Sequence, residues 1–511
     1  ADIYYSLNGA DYVKYDADKK LELTELPATL KAYAIKDGLE KSITSKYTYT
    51  QAQVSAVKAT PNGGAVVANQ RLTLKTATDD ATILYSISSV TTDDADEETS
   101  DDNGATDTES ETTDDSDTAD AADTSEDSAD ESEIEWQTYD GPITLTSLPV
   151  QVKVKAVKDG FIDSAVSTLK FTQKENEKYN IYFGQIHAHT NISDGSGDIA
   201  EAYEHASQVA NLDFIAITDH SNSIDNAADS KITENVDKSE TDEWTYAHKV
   251  AQDYTTDDFT CVYGYEMTWS NGLGHMNTYN TAGFQSRTQT AYATYSTALQ
   301  NYYAALRTST DSISQFNHPG TTFGDFSDFS YYTEENDALI TMIEVGNGEG
   351  TIGSSGYFPS YEYYTRALDK GWHVAPTNNQ DNHKGKWGDA NTARTVMLSD
   401  TNDEDAIYDA MRNYRIYATE DNDLSIYYTL DGYIMGTILE QEQVGDSVDL
   451  SVDISDPTDD AIGKVEVIVN GGQSIANQTV SSNTDTVTFN VPSSYSYYYI
   501  KITEADGDIA V

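Results

Sequence analysis

Hydrophobic and polar residues alternate in short runs at both ends of the chain, whereas its middle mixes apolar runs with longer amphipathic stretches. In LKAYAI and VQVKVKAV every second residue is apolar and the chain then turns at Asp-Gly, a pattern that predicts antiparallel strands. From Tyr179 to about Thr419 the pattern changes. Apolar runs IYFGQIHAH, FIAITDH, CVYGYEM, SISQFNHP, LITMIEV, HVAPTNNQDNH and RTVML are separated by helical patterns such as IAEAYEHASQVAN, TYAHKVAQDY, YATYSTALQNYYAALR and DAIYDAMRNY. Strand–helix alternation of this length predicts βα units and a mainly parallel sheet or barrel. After about Asp421 the helical patterns vanish. SVDLSVDIS, KVEVIVNGG, DTVTFNV and YYYIKIT read as antiparallel strands of a closing β-sandwich.

Residues 1–174 hold an internal repeat. IYYS at Ile3–Ser6 returns as ILYS at Ile83–Ser86, and LPATLKAYAIKDG at Leu26–Gly38 returns as LPVQVKVKAVKDG at Leu148–Gly160. The two offsets, 80 and 122 residues, differ because the second copy carries about 42 extra residues. That surplus is Thr91–Glu135, which has twenty-one acidic residues, no Lys or Arg, and one apolar residue larger than Ala. Such a segment buries too little surface to offset its ordering entropy, so it is expected to be a disordered loop. The expected organisation is therefore a first β-sandwich repeat over 1–52 and a second over 53–174 carrying the insert 91–135. An α/β domain over 175–420 and a C-terminal β-sandwich over 421–511 follow. The first copy begins almost at its YS strand and the last strand stops at DGDIAV, so the chain is expected to be trimmed from a longer protein at both ends.

Composition narrows the function classes. The 511 residues carry a formal net charge of -57, and −36 without the acidic segment. Phosphate neutralisation needs clustered Lys and Arg, so duplex nucleic acid is an unsuitable partner. A single cysteine, Cys261, leaves no intrachain disulfide, and no run approaches the ~18 apolar residues of a membrane span. The N-terminal ADIYYSLNGADYV shows no signal peptide, while the abundance of Tyr, Thr, Asn, Asp and Ser suits an extracellular or cell-surface protein.

The chemistry lies in the histidine map. All nine histidines fall between His187 and His383, six of them at or just beyond the ends of predicted strands, where loops of α/β folds converge to build sites. Two-residue spacing puts His187 and His189 on one face of an extended segment, and likewise Asp381 and His383. Glu266 shares its face with Gly264, which leaves room beside it. Asp194 follows in NISDGSG, His220 in FIAITDH, His275 in GLGHMN and His318 in FNHP. Six imidazoles and three carboxylates are too many for one metal and enough for two or three. Asp219 is expected to orient a histidine ring rather than to ligate. His205, His248 and His373 are expected to be structural, Cys261 an inert buried thiol, and the tyrosine-rich YYTEENDALI and PSYEYYTRAL stretches packing or substrate walls.

Taken in order, HAHTNISDG, DFIAITDH, GYE, GHMN, NHP and DNH resemble the polymerase and histidinol phosphatase (PHP) superfamily of metal-dependent hydrolases. NHP at 317–319, IEVGNG at 343–348, DNH at 381–383, ART at 393–395 and YAT at 417–419 bring the resemblance closest to its carbaryl-hydrolase-like (CehA/McbA) branch. It spans about 240 residues and implies a distorted (β/α)7 PHP barrel with three metals at the C-terminal ends of its strands. Carried over by position, it assigns one metal to His187, His189, Glu266 and Asp381, and a second, bridged by Glu266, to His275 and His318. Asp194, His220 and His383 would hold the third; the family often has His where Asp194 stands. The YS strand, L-P turn and A-x-K-D-G hairpin of the two N-terminal copies similarly resemble the chitobiase/β-hexosaminidase C-terminal-type repeat.

The expected protein is multidomain: an α/β metallohydrolase barrel flanked by all-β sandwich modules, with two or three divalent ions (Zn, Mn or Fe) as cofactors. A metal-activated hydroxide, with no protein nucleophile, would make it a phosphoesterase for a small anionic substrate gripped by Lys384 and Arg394. The same centre would serve a carboxyl ester, carbamate or amide. A reading of another class is a surface protein whose β modules bind glycan or cell wall, with the metals structural. The size of the donor set argues against it, because a structural zinc needs four ligands.

Overall fold

The computed structural model describes residues 1–17, 19–66, 70–89, 134–174, 178–224, 230–269, 272–309, 311–439, 441–458 and 461–511. The expected disordered loop at 91–135 lies outside the described residues, apart from Ile134 and Glu135. The chain divides into two compact units: Ala1–Ala59, Leu74–Tyr139 and Pro149–Lys170 form one, and Thr60–Thr73, Asp140–Leu148 and Phe171–Val511 form the other.

In the first unit, strand Asp2–Leu7 pairs antiparallel with Ala28–Ile35, with Ile3 opposite Ala34. Strand Thr82–Ser89 pairs with Val150–Val157, with Ile83 opposite Ala156. These are equivalent positions of the sequence repeat, so both copies use one register. The strand edges match too. Ser42 gives its backbone N–H to the Ala34 carbonyl and accepts the Ala34 N–H on its hydroxyl, and Ser164 does the same with Ala156. In the second copy Val150, Val152, Val154 and Ala156 are buried in alternation, as period-two patterning requires.

Among the described residues, the sheets that shape the second unit beyond Phe171 have nine, six and four strands. Three parallel strands, Asn180–Gln185, Phe214–Ile217 and Thr260–Tyr263, open the largest; Arg394–Ser399 and Ile416–Thr419 add to it antiparallel. Another sheet begins at Tyr265–Thr268 and runs through His275–Tyr279 and Ile313–Asn317 to Ile340–Asn347, beside which Ala375–Asn379 lies parallel. Helices Ile199–Gln208, Asp242–Tyr254, Tyr295–Leu306 and Glu404–Arg412 fall where the amphipathic patterns predict them, and the tyrosine-rich PSYEYYTRAL segment, expected only as packing or substrate wall, supplies a further helix, Tyr361–Asp369. The first begins with a reciprocal cap: the Asp198 carboxylate accepts the Glu201 N–H at 2.9 Å, and Glu201 accepts the Asp198 N–H at 3.1 Å. No described helix is long and apolar enough to cross a membrane.

The expected closed barrel is not what these strands form. Two open sheets face each other across two seams. At one, the chain passes directly from Tyr263 in the first sheet to Tyr265 in the second through Gly264, where a Cβ would lie 2.6 Å from the Thr278 carbonyl. Gly264 therefore permits a close backbone crossing rather than leaving room for a ligand. At the other, Thr395 replaces a ladder with its hydroxyl, which accepts the Asn378 N–H at 3.1 Å and donates to the Asn378 carbonyl at 3.2 Å.

The C-terminal strands are not a free-standing sandwich either. Ser447–Ser455, Ser425–Leu430 and Thr484–Pro492 make a separate sheet, but Gly463–Val469 and Tyr498–Thr503 join the large one. The link is Ile509–Ala510, inserted between Ile416–Thr419 and Tyr498–Thr503. One buried core accordingly contains Val396, Leu398 and Tyr417 together with Val452, Val467, Val487 and Ile502.

Candidate metal centre

Most donors lie in loops past strand ends, with Glu266 and His275 inside strands Tyr265–Thr268 and His275–Tyr279, and two isolated bridges fix several of them. Ala188 lies in parallel register with Asn382, with the His189 N–H donating to the Asn382 carbonyl at 3.0 Å and the Asp381 N–H to the His187 carbonyl at 3.1 Å. His187 and His189 flank one bridge residue and Asp381 and His383 the other, so period-two geometry turns all four side chains to one side. The strand itself stops at Gln185, and this bridge does what the expected strand end would have done. A second bridge joins His220 to Glu266.

Glu266 is the hub. Its Oε1 lies 3.2 Å from His275 Nδ1 and 3.5 Å from both His187 Nε2 and His318 Nε2; its Oε2 lies 2.6 Å from His220 Nδ1 and 3.8 Å from His189 Nε2. Asp381 Oδ1 stands 3.0 Å from His189 Nε2 and 3.3 Å from His187 Nε2, and those two nitrogens are 3.3 Å apart. Asp194 Oδ1 is 3.3 Å from His383 Nε2 and 3.5 Å from His220 Nε2. All nine predicted ligands thus come together, in four overlapping groups whose donor atoms lie within 4.8 Å of one another. The groups are His187, His189 and Glu266; His187, His318 and Asp381; Glu266, His275 and His318; and His189, Asp194, His220 and His383.

The arrangement fits divalent cations on its own chemistry. Asp381 Oδ1 is buried with no hydrogen-bond partner while facing two imidazole Nε2 atoms, an arrangement that one shared cation satisfies. Burial alone pushes the Glu266 carboxyl up, but His275, His220 and His187 outweigh it and hold it well below the usual carboxylate range. Asp381 is likewise held down against burial, by His187 and then His189. Burial lowers His189 and His275, favouring neutral rings with a lone pair to give. Asp381 and His318 both take positive φ, 48° and 27°, in the left-handed region that non-glycine residues seldom occupy.

A further layer of polar residues aims the rings. Glu344 Oε1 lies 2.9 Å from His187 Nδ1, directing Nε2 inward, and its Oε2 accepts the His318 N–H at 2.7 Å. Asn317 donates to Glu266 Oε1 at 2.9 Å, and Asn379 to Glu344 Oε1 at 3.0 Å. Glu349 accepts from Asn382 Nδ2 at 3.1 Å and the His383 N–H at 3.2 Å. The histidine map does not reveal Glu344 and Glu349, although a carboxylate inside the apolar LITMIEV run is a signal for the first. Asp219 does not orient a ring directly. It accepts from the Thr190 N–H and hydroxyl and from the Ser193 N–H and hydroxyl, and Ser193 Oγ in turn lies 3.4 Å from His189 Nδ1.

Other predicted residues lie elsewhere. Lys384 is exposed and paired with Glu349, and Arg394 is buried with its guanidinium donating to the Asn391 and Ala393 carbonyls. His205 faces Asp389 at 3.0 Å, His373 accompanies Asp337 at 2.7 Å, and His248 packs on Trp244, where burial lowers its pKa to about 4. Cys261 is buried in its strand, and burial pushes its thiol far up.

No family model and no curated protein matches the chain. Among solved structures, a two-domain protein from Bacteroides vulgatus containing a predicted PHP-like metal-dependent phosphoesterase is similar over 65% of this chain and 95% of its own, at 14% identity and a TM-score of 0.36. PfuEndoQ, a lesion-specific endonuclease from Pyrococcus furiosus, is similar over 46% of this chain and 56% of its own, at 13% identity and a TM-score of 0.27. Likeness this distant decides nothing about activity.

Proposed function

We propose that the chain is a metal-dependent hydrolase of the PHP type, a phosphoesterase for a small phosphomonoester or phosphodiester, working with two or three divalent ions. The observation that carries this reading is the convergence of six imidazoles and three carboxylates around Glu266. Mixed nitrogen and oxygen donors suit Zn, Mn or Fe. His187, His189, Glu266 and Asp381 would hold one ion, Glu266, His275 and His318 a second, and Asp194, His220 and His383 a third. Bound there, such ions supply an activated water at neutral pH and Lewis-acid contacts to a phosphoryl oxygen.

The chain's own residues do the rest. Glu344 and Ser193 orient His187 and His189, and Asn317 fixes Glu266. Phe323 covers one side, with its ring centroid 4.5 Å from that of His318 and 5.1 Å from that of His275, and shields the polar cluster from water. Arg287 donates to the Thr268 carbonyl at 3.0 Å, and the Thr268 hydroxyl lies 2.8 Å from His220 Nδ1, which holds Thr268 against the donor cluster. The acidic, Tyr- and Thr-rich composition suits work outside the cell or on its surface, where the β modules would contact glycan or cell wall.

Hydrolysis of a carboxyl ester, carbamate or amide is the second reading. The engagement of Lys384 by Glu349 and of Arg394 by backbone carbonyls favours it, because both predicted anion grips are already occupied. Metal per chain, measured alongside turnover of a phosphodiester, a phosphomonoester and a carboxyl ester, separates the readings, with the His187→Ala, His189→Ala double variant as control. The proposal expects phosphoester turnover that the double variant loses. Turnover of the carboxyl ester alone would overturn it, and bound metal with no turnover of any of the three would favour the structural-metal reading.

A further inference from the structure

A second set of carboxylates lies on adjoining loops of the same unit, and none of them belongs to the histidine-bearing donor groups. It is drawn from three loops: Asp421 and Asp423 after strand Ile416–Thr419, Asp456 after strand Ser447–Ser455, and Glu504 after strand Tyr498–Thr503. The loops are tied together. The Thr458 hydroxyl lies 3.3 Å from both Asp423 Oδ1 and Asp456 Oδ1, and the Ala505 N–H donates to the Ala461 carbonyl at 3.0 Å. Asp421 Oδ1 accepts the N–H groups of Asp423 and Leu424 at 2.7 and 2.9 Å, which folds its loop around the carboxylate.

Two side chains here are buried without the partners that burial demands. Glu504 is 4% exposed and neither of its carboxylate oxygens has a hydrogen-bond partner. Asp456 is 0% exposed and its Oδ2 has none either. The largest charges acting on Glu504 are negative, those of Asp421, Asp456, Asp506 and Asp508. Among the described residues no lysine or arginine forms an ion pair with Asp423, Asp456 or Glu504; the field of buried Arg394 reaches Asp421 alone of this set. An unpaired buried carboxylate is costly, and several facing one another are costlier, unless a cation or protons intervene.

We propose that Asp421, Asp423, Asp456 and Glu504 form a calcium site that ties these three loops together. Oxygen is the only donor type offered, which selects a hard cation and distinguishes this cluster from the imidazole-rich one. Calcium also tolerates the irregular, loop-borne geometry that magnesium does not, with backbone carbonyls and water filling its shell. The proposal does not depend on the hydrolase reading.

Titration calorimetry with CaCl2 on the full-length His187→Ala, His189→Ala variant, stripped of metal, reads this site with the other centre disabled. One calcium per chain is expected, with Tm raised by about 3–5 °C at a hundredfold excess over Kd. Glu504→Gln in the same background should lose both the heat and the shift, and tenfold more MgCl2 should not restore the shift. If Glu504→Gln does not fold, Asp423→Asn at the half-exposed rim should weaken calcium at least tenfold, and calcium should displace tyrosine-sensitised terbium from the unsubstituted chain. No calcium heat in the double-histidine variant, or calcium binding unchanged in both carboxylate variants, would overturn the proposal. So would a chain whose Tm ignores calcium at every pH and falls only as pH rises, the behaviour of a cluster neutralised by protons alone.

Discussion

The donor cluster around Glu266 and the carboxylate cluster around Glu504 face the same physical problem with different chemistry. Both take carboxylates out of water near strand ends, Glu266 in one and Asp456 and Glu504 in the other. Around Glu266 the carboxylates stand among imidazoles, which hold Glu266 and Asp381 well down against burial. Around Glu504 the leading charges are carboxylates, and burial followed by those carboxylates pushes Glu504 up to about 9. Donors that mix nitrogen and oxygen suit ions that activate water; donors of oxygen alone suit an ion that holds loops.

The comparison breaks most visibly at Glu266. Glu266→Gln should lower phosphoester kcat/KM by about a thousandfold or more, because one carboxylate faces five imidazoles, while the calcium-dependent Tm shift should be unaffected. Kinetics and calorimetry on one preparation check both halves. Glu344→Gln sharpens the same side at smaller cost. The ring of His187 would lose its carboxylate partner, so metal affinity or turnover should fall about 10–100-fold, read by metal titration with folding intact.

Chelators should separate the two clusters without mutation. A nitrogen chelator such as 1,10-phenanthroline should abolish turnover and leave most of the Tm, whereas EGTA should lower Tm by a few degrees, roughly the calcium contribution. The smallest effect is one of pH. In the calcium-free chain Glu504 is protonated when folded up to about 9, against 4.5 for the ordinary carboxyl. The folded state therefore binds the extra proton, and this contribution to stability is complete below about pH 4.5 and declines as pH rises toward 9. Calcium should flatten that decline, as denaturant titrations between pH 5 and 9 would reveal.

Much of the Glu266 site was legible because histidines are sparse and chemically loud: spacing alone paired His187 with His189 and Asp381 with His383, and the Ala188–Asn382 bridge turns the two pairs to one side. Four of the five long helices were legible from amphipathic period, whereas Tyr361–Asp369 was hidden in a run of tyrosines that reads equally well as packing. Glu344 left only a faint trace, a carboxylate inside the apolar LITMIEV run, because such a residue looks like any polar interruption until its partner, 157 residues away, is known. The carboxylate cluster was illegible for the opposite reason, since in a chain this acidic no single Asp stands out. Sheet closure was misjudged because alternation of strands and helices does not specify which strands pair. A hydroxyl seam at Thr395 and a glycine crossing at Gly264 leave no periodic trace.

The short strand Ile509–Ala510 sits inside the large sheet, with the Ile509 N–H reaching Glu420, 89 positions earlier. During synthesis the edge at Ile416–Thr419 must wait for nearly the whole C-terminal region to emerge before its neighbour arrives. Pairing at that separation carries a large loop-closure penalty and slows assembly, leaving an unsatisfied row of backbone groups exposed to other chains in the meantime. Expression of this protein should accordingly be most vulnerable to aggregation in the interval before that strand docks.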